Sequence, residues 1–490
     1  MKRIAIAAAC LPFLSTAIGA ADRVWLEVKG PHFTLISDAG EKPARSAVWM
    51  FEQLRAGVVN LWPWAGVDGD RPFVIVMPKD ESGMKELILP PSEQNRMPPS
   101  SGFYIGADRY FFVVRSDAQA DHARDVNPHR AVFRAYVDMA LRTGAGVRRD
   151  LPYWLRIGQS LLVMNTYVLD SDVEMGRPFT SYVQSLRAAN GRMPLDELIA
   201  VESNAAFGND FARINAFDRT AWGFVHYLIM GDSGAHRPEV GKYLGLIGEG
   251  RAPAVAFALA FGDMDKVTGA FAQYLTHPIL PSMRVEGDKT ISRDAFQVRA
   301  LTLGESAPTR AALHVAMRRG DEAQSEIAAA RKYQATAESF EAEGLLADAN
   351  RQTAAARTAY SKAIDLGSKN FYAYFRKAGL TPQDDPMVWT VREEMLHRAI
   401  ALAPRFASAY AMLGDVALRL GHGADGVAAV RRAVELQPTL FGYRLTLARV
   451  LGSSQQRDEA LRAAREALEL ARTDAERDAA NRMIATYARP

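Results

Sequence analysis

Three alanines, Ala399, Ala433 and Ala467, stand 34 residues apart in the last quarter of the chain, and Pro404 and Pro438 keep the same interval. A period of this length holds one pair of helices with their turns. Small residues at a fixed phase let paired helices approach closely, and a proline after the second helix ends the unit. In the clearest unit Tyr410, Leu413, Gly414 and Ala417 fall on a first helix, Val430 and Ala433 on a second, and Pro438 follows. The next unit uses Leu447, Ala448, Ala460, Ala464 and Ala467, and an earlier one Gly344, Ala347, Ala356, Tyr360 and Ala363. A unit around Tyr374 and Ala378 carries two extra residues near Pro382-Gln383-Asp384-Asp385-Pro386. One helix pair cannot bury its own apolar stripe, so the units must stack.

Period and residue types are similar to those of tetratricopeptide (TPR) repeats. The resemblance implies an all-α solenoid over residues 306–490, with a groove that grips a protein or peptide partner. The alanine–arginine stripes after residue 350 read as helix packing and solvated faces rather than a basic docking site.

The remainder of the 490 residues is long enough for at least one more core. Met1-Lys2-Arg3, the apolar run Ile4 to Ala17 and the small residues Gly19-Ala20-Ala21 form the pattern of a cleaved signal peptide, residues 1–21, and place the mature chain in the periplasm or outside the cell. Cys10, the one cysteine, falls inside that leader. No later segment is long and apolar enough to span a bilayer. The formal charge of +3 falls to +1 once Lys2 and Arg3 leave, which gives no support to nucleic-acid binding.

His32–Ser37, Phe73–Met77 and Tyr110–Val114 are strand candidates, the last two being unbroken apolar runs. Glu41 to Trp62 has Val48, Phe51, Leu54, Val58 and Trp62 at helical spacing. Pro98–Gly102 marks a loop, and from residue 128 to about Leu275 the pattern is almost wholly helical. Residues 281–305 have no strong period and read as a linker.

Within this half, Asn127-Pro128-His129-Arg130-Ala131-Val132-Phe133-Arg134-Ala135-Tyr136-Val137-Asp138-Met139-Ala140-Leu141 resembles the HExxH helix of gluzincin-type metallopeptidases. Nineteen residues after Asp138 comes Ile157, inside Leu151-Pro152-Tyr153-Trp154-Leu155-Arg156-Ile157-Gly158, a segment that resembles the second helix of that family, with its WLNEG-like motif. Pro31–Glu41 and Ala221–Asp232 add to a resemblance with bacterial peptidase-MA-like domains over residues 22–280. It implies an α+β gluzincin-like domain, a small sheet plus helices, with a cleft where the two motif helices meet.

In that register Arg134 and Asp138 stand at the histidine positions, Ala135 at the general base and Ile157 at the third ligand. Arginine cannot give up its proton to a metal, alanine is no base and isoleucine has no lone pair. Residues 124–156 hold seven arginines against three aspartates, a neighbourhood hostile to a dication. Arg134 and Asp138, one turn apart, are expected to pair and stand in for the lost metal cross-link, or to form an ordinary solvated pair. No metal or other cofactor is expected.

His122 and His129 are separated by the helix break Asn127-Pro128 and read as exposed loop histidines. His226, among Trp222, Val225, Leu228 and Ile229, reads as a core histidine with one partner. Gly158-Gln159-Ser160 lacks both the second glycine and the preceding strand of a nucleophile elbow. The reading favoured is a binding scaffold, a catalytically dead peptidase-like domain fused to a solenoid, with Arg134 or Arg156 meeting a peptide carboxylate in the old cleft. The competing one is a hydrolase that recruits Asp138, Asp125, His122 or His129 in the same cleft.

Overall fold

The structure, a computed structural model, describes residues 24–118, 126–143, 150–170, 172–188, 190–382 and 387–488. The expected leader, Cys10, His122, Asp125 and most of the expected insertion at 382–386 lie outside the described residues.

The chain opens with β1 (Trp25–Lys29), β2 (Phe33–Ser37), α1 (Glu41–Leu61), β3 (Phe73–Met77), α2 (Glu81–Ile88), β4 (Ser101–Ile105) and β5 (Tyr110–Val114). Then come α3 (Arg130–Arg142), α4 (Tyr153–Met164), β6 (Tyr167–Leu169), β7 (Asp172–Met175), α5 (Thr180–Arg187), α6 (Leu195–Ala200) and α7 (Phe211–Met230). They are followed by α8 (Arg237–Gly248), α9 (Pro253–Phe261), α10 (Met264–Leu275), β8 (Met283–Glu286) and β9 (Gln297–Leu301). The rest is helical: α11 (Leu303–Ala316), α12 (Gly320–Tyr333), α13 (Ala337–Ala349), α14 (Thr353–Asp365), α15 (Phe371–Leu380) and α16 (Val388–Leu402). It ends with α17 (Ala407–Arg419), α18 (Gly423–Leu436), α19 (Phe441–Ser453), α20 (Arg457–Leu470) and α21 (Asp474–Ala488).

Six strands form a mixed sheet in the order β4-β5-β3-β2-β1-β9, with β3 parallel to both β2 and β5 and the other pairs antiparallel. Strands β3 and β5 are buried along their whole length, so their apolar runs match strands covered on both faces. The stretch 281–305, expected as a linker, is instead part of the sheet domain. Strand β8 pairs with β7, and β9 closes the large sheet against β1. Both are largely exposed, β8 in a regular alternation, so their mixed composition hides the strand period. The loop expected over Pro98–Gly102 runs into β4, and the β6–β7 pair interrupts the helical stretch after residue 128.

One sheet face packs against α1 and α3 around Phe33, Phe51, Phe112, Phe133 and Tyr136, and α4 and α7 extend the same core beyond α3. On the other, Ile36, Val76, Leu87 and Phe111 meet Leu313 of α11 and Leu345 of α13. The start of the solenoid therefore completes the core of the sheet domain. Arg319 adds hydrogen bonds from Nη1 to Leu87 O (2.8 Å) and from Nη2 to Leu89 O (3.1 Å), satisfying carbonyls at the end of α2.

From α11 to α20 each helix packs antiparallel on the next as five hairpins, with α21 against α19 and α20 at the end: a TPR-like helical solenoid. Ala399, Ala433 and Ala467 are fully buried on the second helices α16, α18 and α20. A Cβ on Gly414 would lie 2.1 Å from Val430 Cγ2, which is why a glycine serves where α17 meets α18.

Candidate functional site

Helices α3 and α4, on which the metallopeptidase resemblance rests, pack against each other, and α4 packs on α7. A Cβ on Gly158 would stand 2.5 Å from Ala221 O, so the glycine lets α4 reach the α7 backbone. The expected Arg134–Asp138 pair is not the one formed. Arg134 Nη2 reaches Asp218 Oδ2 on α7 at 3.0 Å. Asp138 Oδ2 accepts from Arg142 Nε at 2.9 Å, and its Oδ1 accepts from Arg156 of α4. The reason lies in direction: an acid one turn before a base, as in Asp138–Arg142, suits a helix better than the reverse.

Two ionic bridges thus tie α3 to α4 and to α7. Arg156 is 7% exposed and lies 5.3 Å from the Tyr153 ring. Burial lowers its pKa, and Asp138 opposes that effect. Burial pushes the Asp218 carboxyl up, and Arg134 opposes it. Tyr153 stacks on Phe217 at 5.2 Å, and burial raises its hydroxyl pKa. Ile157 is buried, while Ala135 is half-buried with nothing to offer a proton or a metal. Among the described residues no three His, Cys, Asp or Glu side chains form a group that could hold a metal ion. Arg134 and Arg156, expected to meet a peptide carboxylate, each already hold one of the protein's own.

His129 is half-buried at the start of α3 rather than an exposed loop residue, because Asn127 fixes the turn by accepting from its backbone N–H (2.7 Å). Burial holds the imidazole down at about 4. His226 is a core histidine with two partners: Nδ1 accepts from Tyr274 OH (2.7 Å) and Nε2 donates to Gly176 O (2.9 Å). It too is held at about 4 by burial.

The first helices of the solenoid pairs lie next to one another on one side, α11 by α13 and α17 by α19, and that side meets the sheet domain. At the β4–β5 turn, Asp108 Oδ2 accepts from Asn370 Nδ2 (2.7 Å) at the start of α15 and from Arg109 Nη2 (2.6 Å). Asn370 Nδ2 also donates to Glu341 of α13 (3.2 Å), whose carboxyl is raised by burial. Further along, Arg405 Nη1 bonds Asp68 Oδ2 at 3.1 Å, and Arg472 pairs with Asp150. These last two pairs are solvent-exposed, with the arginines 47% and 68% accessible. A cavity of about 730 Å³ lies between Arg142, Tyr153 and Arg156 of the motif helices and Ala471–Arg472 of the solenoid.

Sequence reasoning missed Asp218, Asp108, Asn370 and the Asp68–Arg405 and Asp150–Arg472 pairs. All join distant parts of the chain, and spacing carries no signal for them. The Asp138–Arg142 pair was readable from helix direction alone.

No model of a known protein family matches the chain, and no curated protein matches it. Among solved structures it is similar to YrrB, a TPR protein with an unusual peptide-binding site, at 14% identity and a TM-score of 0.32, over 36% of this chain and 89% of that one. It is also similar to a thermophilic TPR protein of Thermus thermophilus, at 20% identity and 0.28, over 37% and 97%. A third is MamA of Desulfovibrio magneticus RS-1, at 19% and 0.30, over 35% and 96%. At such identities and scores the likeness extends to no partner or activity. No helix of the described residues is long and apolar enough to cross a membrane.

Proposed function

We propose that the chain is a non-catalytic, protein-binding scaffold that works outside the cytoplasm, built from a peptidase-like domain that has lost its metal chemistry and a solenoid that takes a partner. One observation carries the reading. The positions where the family resemblance puts zinc ligands are occupied by side chains with other work: Arg134 on Asp218, Asp138 on Arg156 and Arg142, and Ile157 in the core. Ionic bridges between α3, α4 and α7 take over the cross-linking that a metal gives such a site.

The inner side of the solenoid is engaged by the chain's own sheet domain. Its first pairs share a core with the sheet, while its far end is held by the exposed pairs Asp68–Arg405 and Asp150–Arg472. Exposed pairs contribute roughly 0–1 kcal/mol each, so a partner of modest affinity opens this clasp. The leader-like residues 1–21 support a location beyond the inner membrane.

The test is hydrolysis of casein and a fluorogenic peptide library by the chain without its leader, with and without chelator, beside capture of partners from envelope extract. The expected result is no hydrolysis in either condition, and stronger capture of the same partner by Arg405→Glu/Arg472→Glu. Chelator-sensitive cleavage would overturn the reading.

A further inference from the structure

Where α11 turns into α12, α13 into α14, α17 into α18 and α19 into α20, one residue takes a left-handed backbone: Arg318 (φ 60°), Arg351 (φ 59°), Gly421 (φ 83°) and Gln455 (φ 62°). Glycine adopts this conformation freely, and a residue with a side chain does so only under strain. Two of these turns nonetheless carry arginine. Both arginines line one cavity of about 690 Å³, between the ends of α11 and α13 and the β4–β5 turn of the sheet domain. Both are exposed at its mouth, and among the described residues no hydrogen bond or ion pair engages either guanidinium. Backbone strain that serves no contact within the chain points to a role for the side chains outside it.

The other charged groups of the lining already have partners. Asp348 accepts from Arg376 Nε and Nη2 at 2.7 and 2.8 Å. Asp108 Oδ2 accepts from Arg109 and Asn370, and Arg319 donates to Leu87 O, Leu89 O and Glu322. What remains is the double positive charge of Arg318 and Arg351, which favours an oxyanion with two charges. One acceptor is also open: Asp108 is 2% exposed, and its Oδ1 has no hydrogen-bond partner among the described residues. A buried acceptor of this kind normally has one. The occupant therefore needs a donor as well as an anionic group. Val315 and Tyr372, both half-buried, and the exposed Ile105 complete the wall. We infer that this cavity binds a small phosphate monoester on a hydroxylated body, a sugar phosphate in class. The phosphate bridges Arg318 and Arg351, and a hydroxyl of the body donates to Asp108.

The experiment compares glucose 6-phosphate, glucose and glucosamine, one body in three charge states, by ligand-observed NMR and calorimetry at low salt on the chain expressed without residues 1–21. The expected order is the phosphate ester, then the neutral sugar, then the cation. Arg318→Gly and Arg351→Gly supply the residue that the turn geometry favours, so each variant folds with Tm unchanged or raised. Each is expected to weaken glucose 6-phosphate by roughly tenfold or more and to leave glucose unaffected. Absence of glucose 6-phosphate binding, equal or tighter binding of glucosamine, or binding indifferent to both glycine variants would overturn the inference. So would a fall in Tm in both variants, because the arginines would then hold the turns themselves.

Discussion

Asp138→Ala removes the carboxylate that joins α3 to α4 and leaves the Arg156 guanidinium in place, 7% exposed, with the Tyr153 ring 5.3 Å away. Breaking a fully buried ion pair by deleting one partner costs about 3–5 kcal/mol. Here the Asp138 side chain is 24% exposed, so water reaches the gap, and a loss of about 2 kcal/mol follows for this partly buried pair. At about 2–4 °C per kcal/mol for a unit of this size, Tm falls by about 4–8 °C. The double variant Asp138→Ala/Arg156→Met leaves no buried charge and keeps an apolar stem against Tyr153, so it lies within about 1 kcal/mol of the parent. The assay is urea unfolding followed by tryptophan fluorescence, since Trp154 and Trp222 are buried on α4 and α7. A double variant as unstable as the sum of the two single ones would refute the reasoning, because the pair would then not act as a unit.

Gly414→Leu drives a side chain into Val430, and Ala433→Trp overfills the same helix pair; each is expected to destabilise by about 1–3 kcal/mol or more, and a melting curve unchanged within error would show that the α17–α18 approach is not tight. Because α11 and α13 share the sheet's second core, Leu313→Ala is expected to cost about 2–5 kcal/mol and to unfold sheet and early solenoid together, checked by hydrogen exchange in both. Arg405→Glu/Arg472→Glu opens the clasp and enlarges the radius of gyration in X-ray scattering at low salt, and the parent approaches that value near 1 M salt, where the Debye length is about 3 Å. His226 is held at about 4 against an unfolded value of 6.5, so the neutral folded form binds fewer protons; its contribution is complete above 6.5 and is lost as pH falls from 6.5 toward about 4, on the order of 3 kcal/mol. His226→Gln therefore lowers stability at pH 7 but flattens that acid limb, which denaturant titrations at pH 7, 5.5 and 4.5 check. Arg134→His/Ala135→Glu/Asp138→His/Ile157→Glu places metal ligands at the family's spacing and is expected to gain zinc affinity, read by competition with a chromogenic chelator; a folded variant that binds no better than the parent shows the register to be wrong.

Much of the architecture was legible because it is periodic. The interval between Ala399, Ala433 and Ala467 gives the helix pairs, and the unbroken runs at Phe73–Met77 and Tyr110–Val114 give the inner strands. Strand β9 was not legible, because an exposed edge strand such as Gln297–Leu301 needs little apolar patterning. That loss turned a strand of the sheet into an expected linker and concealed the shared core through Leu313 and Leu345. In the candidate site the sequence shows that Arg134, Ala135 and Ile157 offer neither a metal ligand nor a base. It does not show that Arg134 turns to Asp218, 84 positions away, because such a partner is chosen by the packing of α7 on α4 through Gly158 and Ala221.

The central claim is the proposal that ionic bridges stand where the resemblance to metallopeptidases would place a metal. The zinc content of the chain expressed without residues 1–21, purified with no chelator and measured by elemental mass spectrometry, tests it most directly. The expected result is a content far below one zinc per chain, unchanged in Asp138→Ala. About one zinc per chain, lost on Asp138→Ala or His129→Ala, would contradict it.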